Sequence, residues 1–231
     1  TVPKCIERFL DIGLFDEEIS KKFTLMGHPV DTEKFIPLSP LSELDGIIRV
    51  IVVSRLLPEK GLYYILEAMT PLLRTQKNLC LQLLGTGPMK SLLAKEIKFK
   101  GIDGSVVFLS PTDHDELPKI LGAADIYINH AVSTSNWEEF FGAANIEAMA
   151  CGLPCIVSRC GGIPYVIRDE NAAMLVDERN VFQLRTAVSK LIASKQLRKR
   201  IGAKARHYVQ QHYDISLIAL KYHQMLQHEI L

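Results

Sequence analysis

The 231-residue chain lacks any apolar run of the roughly 18 residues that span a bilayer. Its opening stretch, TVPKCIERFL, contains no hydrophobic segment of signal-peptide type. Net charge is nearly absent as well: 27 Lys and Arg against 26 Asp and Glu leave +1, which gives no support for nucleic-acid binding. Cysteine is scarce. Cys5, Cys80, Cys151, Cys155 and Cys160 follow no zinc-ligand spacing, and Cys80 and Cys155 lie inside apolar strand-like runs. Reduced, buried thiols in a reducing cytosol are therefore expected, since an odd count closes no disulfide framework. The histidines His28, His114, His130, His207, His212, His223 and His228 are scattered, with no metal-type pair supported by acids on one helix face. GxGxxG is missing from the turn after the first strand, where a nicotinamide dinucleotide fold requires it. No repeat or low-complexity segment is present, and the chain starts at Thr1 without Met, so it is expected to begin partway through a longer protein.

What remains is an ordinary globular composition, 48% apolar and 23% charged, sized for one large α/β domain or one domain with appendages. From Ile47 onward short apolar runs alternate with helical patterns. Strands are expected at Ile47–Ser54, Leu79–Gly85, Val106–Ser110, Asp125–His130, Pro154–Ser158 and Ala173–Val176. The intervening helices are Leu62–Arg74, Met89–Lys98, Asp115–Ala123, Gly142–Cys151 and Ile163–Ile167. Nearly continuous apolar strands imply burial on both faces, as in a parallel sheet covered by helices. The expected fold is thus α/β, a Rossmann-like doubly wound parallel sheet of about six strands, its ligand at the carboxyl ends of the strands. Residues 1–43 lie outside it and run from a helical stretch into a Pro- and Ser-containing linker; Val181–Leu231 forms two or three further helices. The basic run RKRIGAKAR reads there as a solvated helix face. After Asp214, a helix exposing Leu217, Ile218, Leu220 and Met225 would want cover.

The segment WEEFFGAANIEAMACGLP (Trp137–Pro154) is the most informative. Only Asn145 and Glu147 interrupt the apolar surface of its helix, which should be buried. A buried carboxylate needs a partner, so Glu147 demands one, and the Gly142 end of the helix offers backbone N–H groups that suit an anion. Glu139 and Glu147 fit a hydrolase's acid–base pair poorly. Eight residues on a continuous helix rise about 12 Å, whereas paired glycosidase carboxylates stand roughly 5–9.5 Å apart. Separate partners for the two are expected.

Loops at the strand ends supply further candidates. SRLLPEKG brings Arg55 and Lys60 to the rim, a planar fork and a flexible ammonium able to neutralise a diphosphate. Solvated loop cations are the bland alternative. GTGP places Gly85 and Gly87 where a tight turn or a closely approaching ligand needs them. In SPTDHDEL, Thr112 or Asp113 is the expected helix cap, and Ser110, Pro111 and Thr112 offer a rest for a base. RCGGIP adds a glycine pair at the same rim. His130, ending a strand there, is a candidate substrate contact; Trp137, in the long loop VSTSNWEE, either covers the site or packs.

SRLLPEKG, GTGP, EFFGAANIEAMACGLP and GGIP, in this order and at these intervals, resemble the retaining GT-B glycosyltransferases, the large family that includes glycogen synthases and many mannosyl- and glucosyltransferases. The resemblance spans roughly Lys22 to Tyr213 and implies the C-terminal, donor-binding half of a GT-B fold with additional C-terminal helices. KFTLMGHPVDTEKFIP looks like the family's connection between domains. It implies a division into residues 1–43 (remnant of the N-terminal domain and linker), 44–213 (nucleotide-sugar donor domain) and 214–231 (a helix packing on the missing N-terminal domain). By position, Arg55 and Lys60 match the diphosphate ligands and Glu139 the residue at the transferred sugar's hydroxyls; these three are the implied catalytic set. Phe141, Gly142 and Ala143 match the turn that contacts sugar and phosphate, and Glu147 the ribose ligand. No metal or other cofactor is implied, and the partners are a nucleotide-diphosphate sugar, an unidentified acceptor and the absent N-terminal domain. The setting implied is cytoplasmic, any peripheral membrane attachment belonging to that absent domain. Ser54, Tyr165 and Ala173 depart from the common pattern, and the loop Ala131–Glu138 is longer than usual. Two alternatives stay open: a nucleotide-sugar epimerase of the same architecture, and a non-catalytic binding subunit that needs a separate acceptor domain.

Overall fold

The computed structural model describes residues 27–229. Cys5 and the helical stretch expected before Gly27 lie outside the described residues. Six strands form one wholly parallel sheet: β1 (Ile48–Val53), β2 (Leu79–Leu84), β3 (Val106–Leu109), β4 (Ile126–Asn129), β5 (Cys155–Ser158) and β6 (Met174–Val176). Their spatial order is β3-β2-β1-β4-β5-β6. The winding direction reverses between β1 and β4, and there the loops leaving the carboxyl ends diverge to open a crevice.

Among the described residues the helices are α1 (Ser42–Asp45), α2 (Leu62–Thr75), α3 (Lys90–Phe99), α4 (Leu117–Gly122), α5 (Ala143–Ala150), α6 (Ile163–Val166), α7 (Val181–Ala193), α8 (Lys195–His212) and α9 (Ile215–Glu229). They cover both faces of the sheet, which is why the strands read as unbroken apolar runs. In β1, Val50 and Val52 join a core with Leu66 of α2, Leu93 of α3 and Val188 of α7, whereas Ile51 belongs to the core of the other face, with Leu121 of α4 and Met149 of α5. Each fully buried large aliphatic contributes about 1.5–3 kcal/mol relative to exposure. The strands stop one residue or so inside the expected limits, because only the paired residues remain in the ladder.

Three expectations need correction. α4 starts at Leu117, and its N-cap, Glu116, makes no side-chain cap bond. Neither Thr112 nor Asp113 caps it, since Asp113–Glu116 is occupied by a turn in which Glu116 N–H donates to Asp113 O at 3.0 Å. The basic run is only partly solvated. Arg198 donates to Leu191 O at 2.7 Å, and Arg206 donates to Phe35 O at 2.8 Å and Ala150 O at 2.6 Å, so both guanidinium groups satisfy carbonyls that helices and chain turns leave open. Finally, α9 does not expose Ile218, which is 3% exposed, and leaves Leu217 and Met225 only half-buried; Ile215, Leu220, Tyr222 and Leu226 are its large apolar residues facing outward.

Arg206 also anchors a strap, residues 30–35, by donating to Phe35 O and to Thr32 O at 3.1 Å. Val30 exchanges backbone hydrogen bonds with Tyr213 and Ile215 at 2.9 Å, and Phe35 is buried. This strap lies across the junction of α8 and α9 and reaches the loop before α4, where Lys34 meets Asp115 at 2.5 Å. Cys151, Cys155 and Cys160 are buried free thiols as expected, while Cys80 is half-buried. Burial pushes the Cys151 thiol up to about 12. Among the described residues no helix is long and apolar enough to cross a membrane, and no cluster of His, Cys, Asp and Glu is arranged to hold a metal.

Candidate donor site at the switch point

β1 ends in the loop that carries Arg55, which is exposed, and then a single 3₁₀ turn, Pro58–Lys60. From that turn Lys60 reaches across the crevice. Its Nζ lies 2.5 Å from Glu139 Oε2 and 4.5 Å from the centroid of the Trp137 ring. The ammonium is therefore held between a carboxylate and an aromatic face, a combined ionic and cation–π contact in a largely desolvated position. Trp137 both packs on the core and touches the site cation.

Glu139 is placed by its backbone. Its carbonyl accepts from Gly162 N–H at 2.7 Å, and Gly161 sits so close beneath that an added Cβ would stand 2.3 Å from that carbonyl oxygen. Gly161 also adopts φ +55, a region that L side chains enter at a cost of roughly 1–2 kcal/mol. The glycines of RCGGIP thus seat Glu139. Gly142, at φ 72, caps α5, turning the chain from Phe141 into Ala143, and no side chain caps the first N–H groups, an end that suits an anion. Phe141 stacks edge-on against Tyr213 at 5.4 Å, tying this turn to the end of α8.

Glu147 lies one helical turn beyond Ala143 and does find a partner. The partner is His114, whose Nε2 stands 2.7 Å from Glu147 Oε1. His114 belongs to the loop Ser110–Glu116, the segment expected to receive a base. Ser110, Pro111 and Thr112 are exposed there and line an open cavity of ≈ 390 Å³ with Gln82, Leu109, Ile120 and Ala123. Gly85 and Gly87 have a contact of their own: an added Cβ on either would meet the carbonyl oxygen of Ser54 or Leu56, at 1.8 and 2.4 Å. They let the loop after β2 lie directly on the loop after β1.

Two features were not legible in the sequence. The long loop after β4 is pinned at Ser133, whose N–H and hydroxyl donate to the two oxygens of Glu178 at 2.6 and 2.7 Å. Arg179 donates to the Ser133 carbonyl and takes φ +61. Nothing in the local spelling of DERN marks this clamp, because its target is 45 residues away in the chain. The other is a group of buried polar atoms with no hydrogen-bond partner among the described residues: Ser54 Oγ, Asn145 Nδ2 and both ring nitrogens of His130. All belong to strand ends or to the first turn of α5. Asn145 is fixed by a buried network in which its Oδ1 accepts from Tyr127 OH at 3.1 Å and Asn129 Nδ2 at 2.8 Å. His130 is wholly buried, its carbonyl directly under Gly61, and burial lowers its pKa to about 4. Its imidazole is neutral at pH 7.

The model of the family described as "Glycosyl transferases group 1" matches residues 42–208, most of the described chain. The chain belongs to the group 1 glycosyl transferases. The GDP-mannose-dependent alpha-(1-6)-phosphatidylinositol monomannoside mannosyltransferase of Mycolicibacterium smegmatis is 29% identical over 188 residues, covering 78% of this chain and 49% of the relative. The crystal structure of the C-terminal domain of a glycosyl transferase group 1 family protein from Francisella tularensis superposes with a TM-score of 0.71 at 25% identity, covering 80% of this chain and 99% of that one. Anabaena HepE, crystallised with UDP and glucose, has a TM-score of 0.76 at 21% identity, covering 90% of this chain and 57% of that one, and shares the fold. The sheet and its flanking helices are those of a GT-B C-terminal domain. This group 1 chain spans about half the length of the curated relatives it matches.

Proposed function

We propose that this group 1 chain is the donor-binding domain of a retaining glycosyltransferase, taking a UDP- or GDP-hexose. The observation that carries the reading is the arrangement of Glu139 and Glu147: each is matched to a different partner, Lys60 from the loop after β1 and His114 from the loop after β3. Two carboxylates with separate partners suit two separate sets of hydroxyls better than one shared water. Arg55 and Lys60 take the diphosphate; with the first amides of α5 they stabilise charge developing on the leaving group without a metal. Glu139 accepts from the transferred sugar's hydroxyls, Phe141, Gly142 and Ala143 shape the turn between sugar and phosphate, and Glu147 accepts from the ribose diol. Ser110–Thr112 rest against the base, and Gly85 and Gly87 bring a second loop to the rim. Configuration is retained because the acceptor attacks on the leaving-group face.

Residues 44–213 form the donor domain in this reading. Residues 1–43 lead from an N-terminal acceptor domain, and residues 214–231 return toward it through the outward Leu220, Tyr222 and Leu226. The relative dependent on GDP-mannose and the neighbour crystallised with UDP support a nucleoside-diphosphate donor. Isothermal titration with UDP, GDP and their hexose conjugates tests the assignment. Saturable binding that Arg55→Ala weakens is expected; no binding of any of them rejects the reading. The isolated chain should transfer little sugar, because the acceptor side of the cleft belongs to the other half. Robust turnover, or conversion of the donor to a free epimer, would overturn that part.

A further inference from the structure

His114 has no assigned part in donor binding, yet it makes the most direct side-chain contact with Glu147. A carboxylate only accepts hydrogen bonds, so at 2.7 Å from Oε1 the His114 Nε2 must carry its proton and donate. The ring is held on its other sides as well. It packs against the buried Phe35 of the strap, with centroids 5.5 Å apart and planes inclined at 55°. Its neighbour Asp115 is paired with Lys34, the residue before Phe35, at 2.5 Å. Strap and loop thus grip each other twice, and His114 projects from that grip onto Glu147. The Glu147 side chain is only 17% exposed, against 61% for that of His114, which lies over it on the solvent side.

We propose that His114 is a positioning residue for the ribose: it fixes the Glu147 carboxylate by holding Oε1, leaving the second oxygen aimed at the vicinal diol. The proposal rests on Glu147 being the ribose ligand. A glutamate side chain has several rotatable bonds, and ordering it when the ligand arrives would cost affinity. A carboxylate already oriented by a donor spares that cost and presents its acceptors in the plane the diol requires. Among the described residues, Glu147 is the carboxylate paired with the imidazole, while the adjacent Asp115 is paired with Lys34.

The test is titration calorimetry on the 231-residue chain with UDP, GDP and their 2′-deoxy counterparts. The proteins are wild type, His114→Ala, His114→Gln and Glu147→Gln. His114 is exposed, so the alanine variant should fold, and its circular dichroism and melting temperature verify this. Wild type should prefer the ribonucleotide by about tenfold or more, the scale of a hydrogen bond to a charged group. His114→Ala should bind the ribonucleotide several-fold more weakly and lose most of the ribo-over-deoxy preference, approaching Glu147→Gln. His114→Gln, whose amide also donates, should recover much of that preference, which a merely structural role would not do. Full selectivity in His114→Ala overturns the proposal. So does tighter binding, which would make His114 a plug over Glu147. Binding without ribose selectivity in wild type removes Glu147 as the ribose ligand and this inference with it. Failure of wild type to bind either nucleotide rejects the donor-site reading itself.

Discussion

Lys60 and Glu139, 79 residues apart in sequence, meet at 2.5 Å across the carboxyl edge of the sheet. Each is more than four-fifths shielded, and the indole of Trp137 lies against the same ammonium. The two groups expected to serve phosphate and sugar neutralise each other. In the proposed reading a donor exchanges this pair, taking Lys60 with its diphosphate and Glu139 with its hydroxyls. The exchange gives Lys60 a separable signature. Lys60→Met should lower affinity for UDP or GDP by about 10–100-fold, the scale of a charge-assisted hydrogen bond. Glu139→Gln should leave nucleotide affinity largely unchanged and weaken the added contribution of the hexose. Calorimetry with nucleotide and nucleotide sugar in parallel distinguishes the two.

Gly161→Ala should unfold the seat of Glu139 locally. The methyl would stand 2.3 Å from the Glu139 carbonyl oxygen at a φ of +55, and backbone cannot yield as a flexible side chain can. Strain from the left-handed conformation alone is worth roughly 1–2 kcal/mol, and the contact adds to it. A urea midpoint no lower than wild type would show that the RCGGIP loop does not constrain this carbonyl.

Removing the Glu178 carboxylate should release the loop after β4. In Glu178→Ala, the N–H and hydroxyl of Ser133 lose a charged acceptor, a local cost of about 1–3 kcal/mol. Hydrogen exchange at Ser133–Trp137 should accelerate while the strands keep their protection. If Trp137 then leaves Lys60, its fluorescence will shift to the red; unchanged exchange in this loop would remove the clamp from consideration.

Acid should weaken the fold through His130. Its folded pKa is near 4, below the ordinary value of 6.5, because burial disfavours the imidazolium. Between those values the unfolded chain binds the proton and the native state does not, so stability falls as pH drops from 6.5 toward 4 and then levels off. The shift corresponds to about 3 kcal/mol over that window. His212 is held down by burial too and has the same sign, so the difference between wild type and His130→Leu isolates His130. Urea midpoints measured across this range should fall less steeply in the variant.

Strand and helix identities were readable because burial on both faces leaves apolar runs, and because Gly and Pro mark the turns between them. The rim location of Arg55, Lys60, Glu139 and Glu147 followed from the same pattern, since loops leaving parallel strands gather at one edge. The demand of Glu147 for a partner was also readable from a carboxylate on an apolar helix. Its answer was not. His114 stands among acids in TDHDEL, and nothing in that spelling directs it toward α5. Thr112 and Asp113 looked like caps for a similar reason: cap chemistry is local, but the turn that displaced them depends on where the strap grips the loop.

The sequence by itself determined the layered α/β fold, the edge at which a ligand is expected, and that Glu139 and Glu147 take separate partners. Those properties depend on hydrophobic period and turn chemistry, which act over a few residues. Tertiary structure alone decided that Lys60 closes on Glu139, that His114 pairs with Glu147, and that Glu178 pins Ser133. These contacts join segments 33 to 79 residues apart. A charged side chain's partner is set by which loops the sheet order brings together at the crevice, and the spacing of residues along one strand or helix does not encode that meeting.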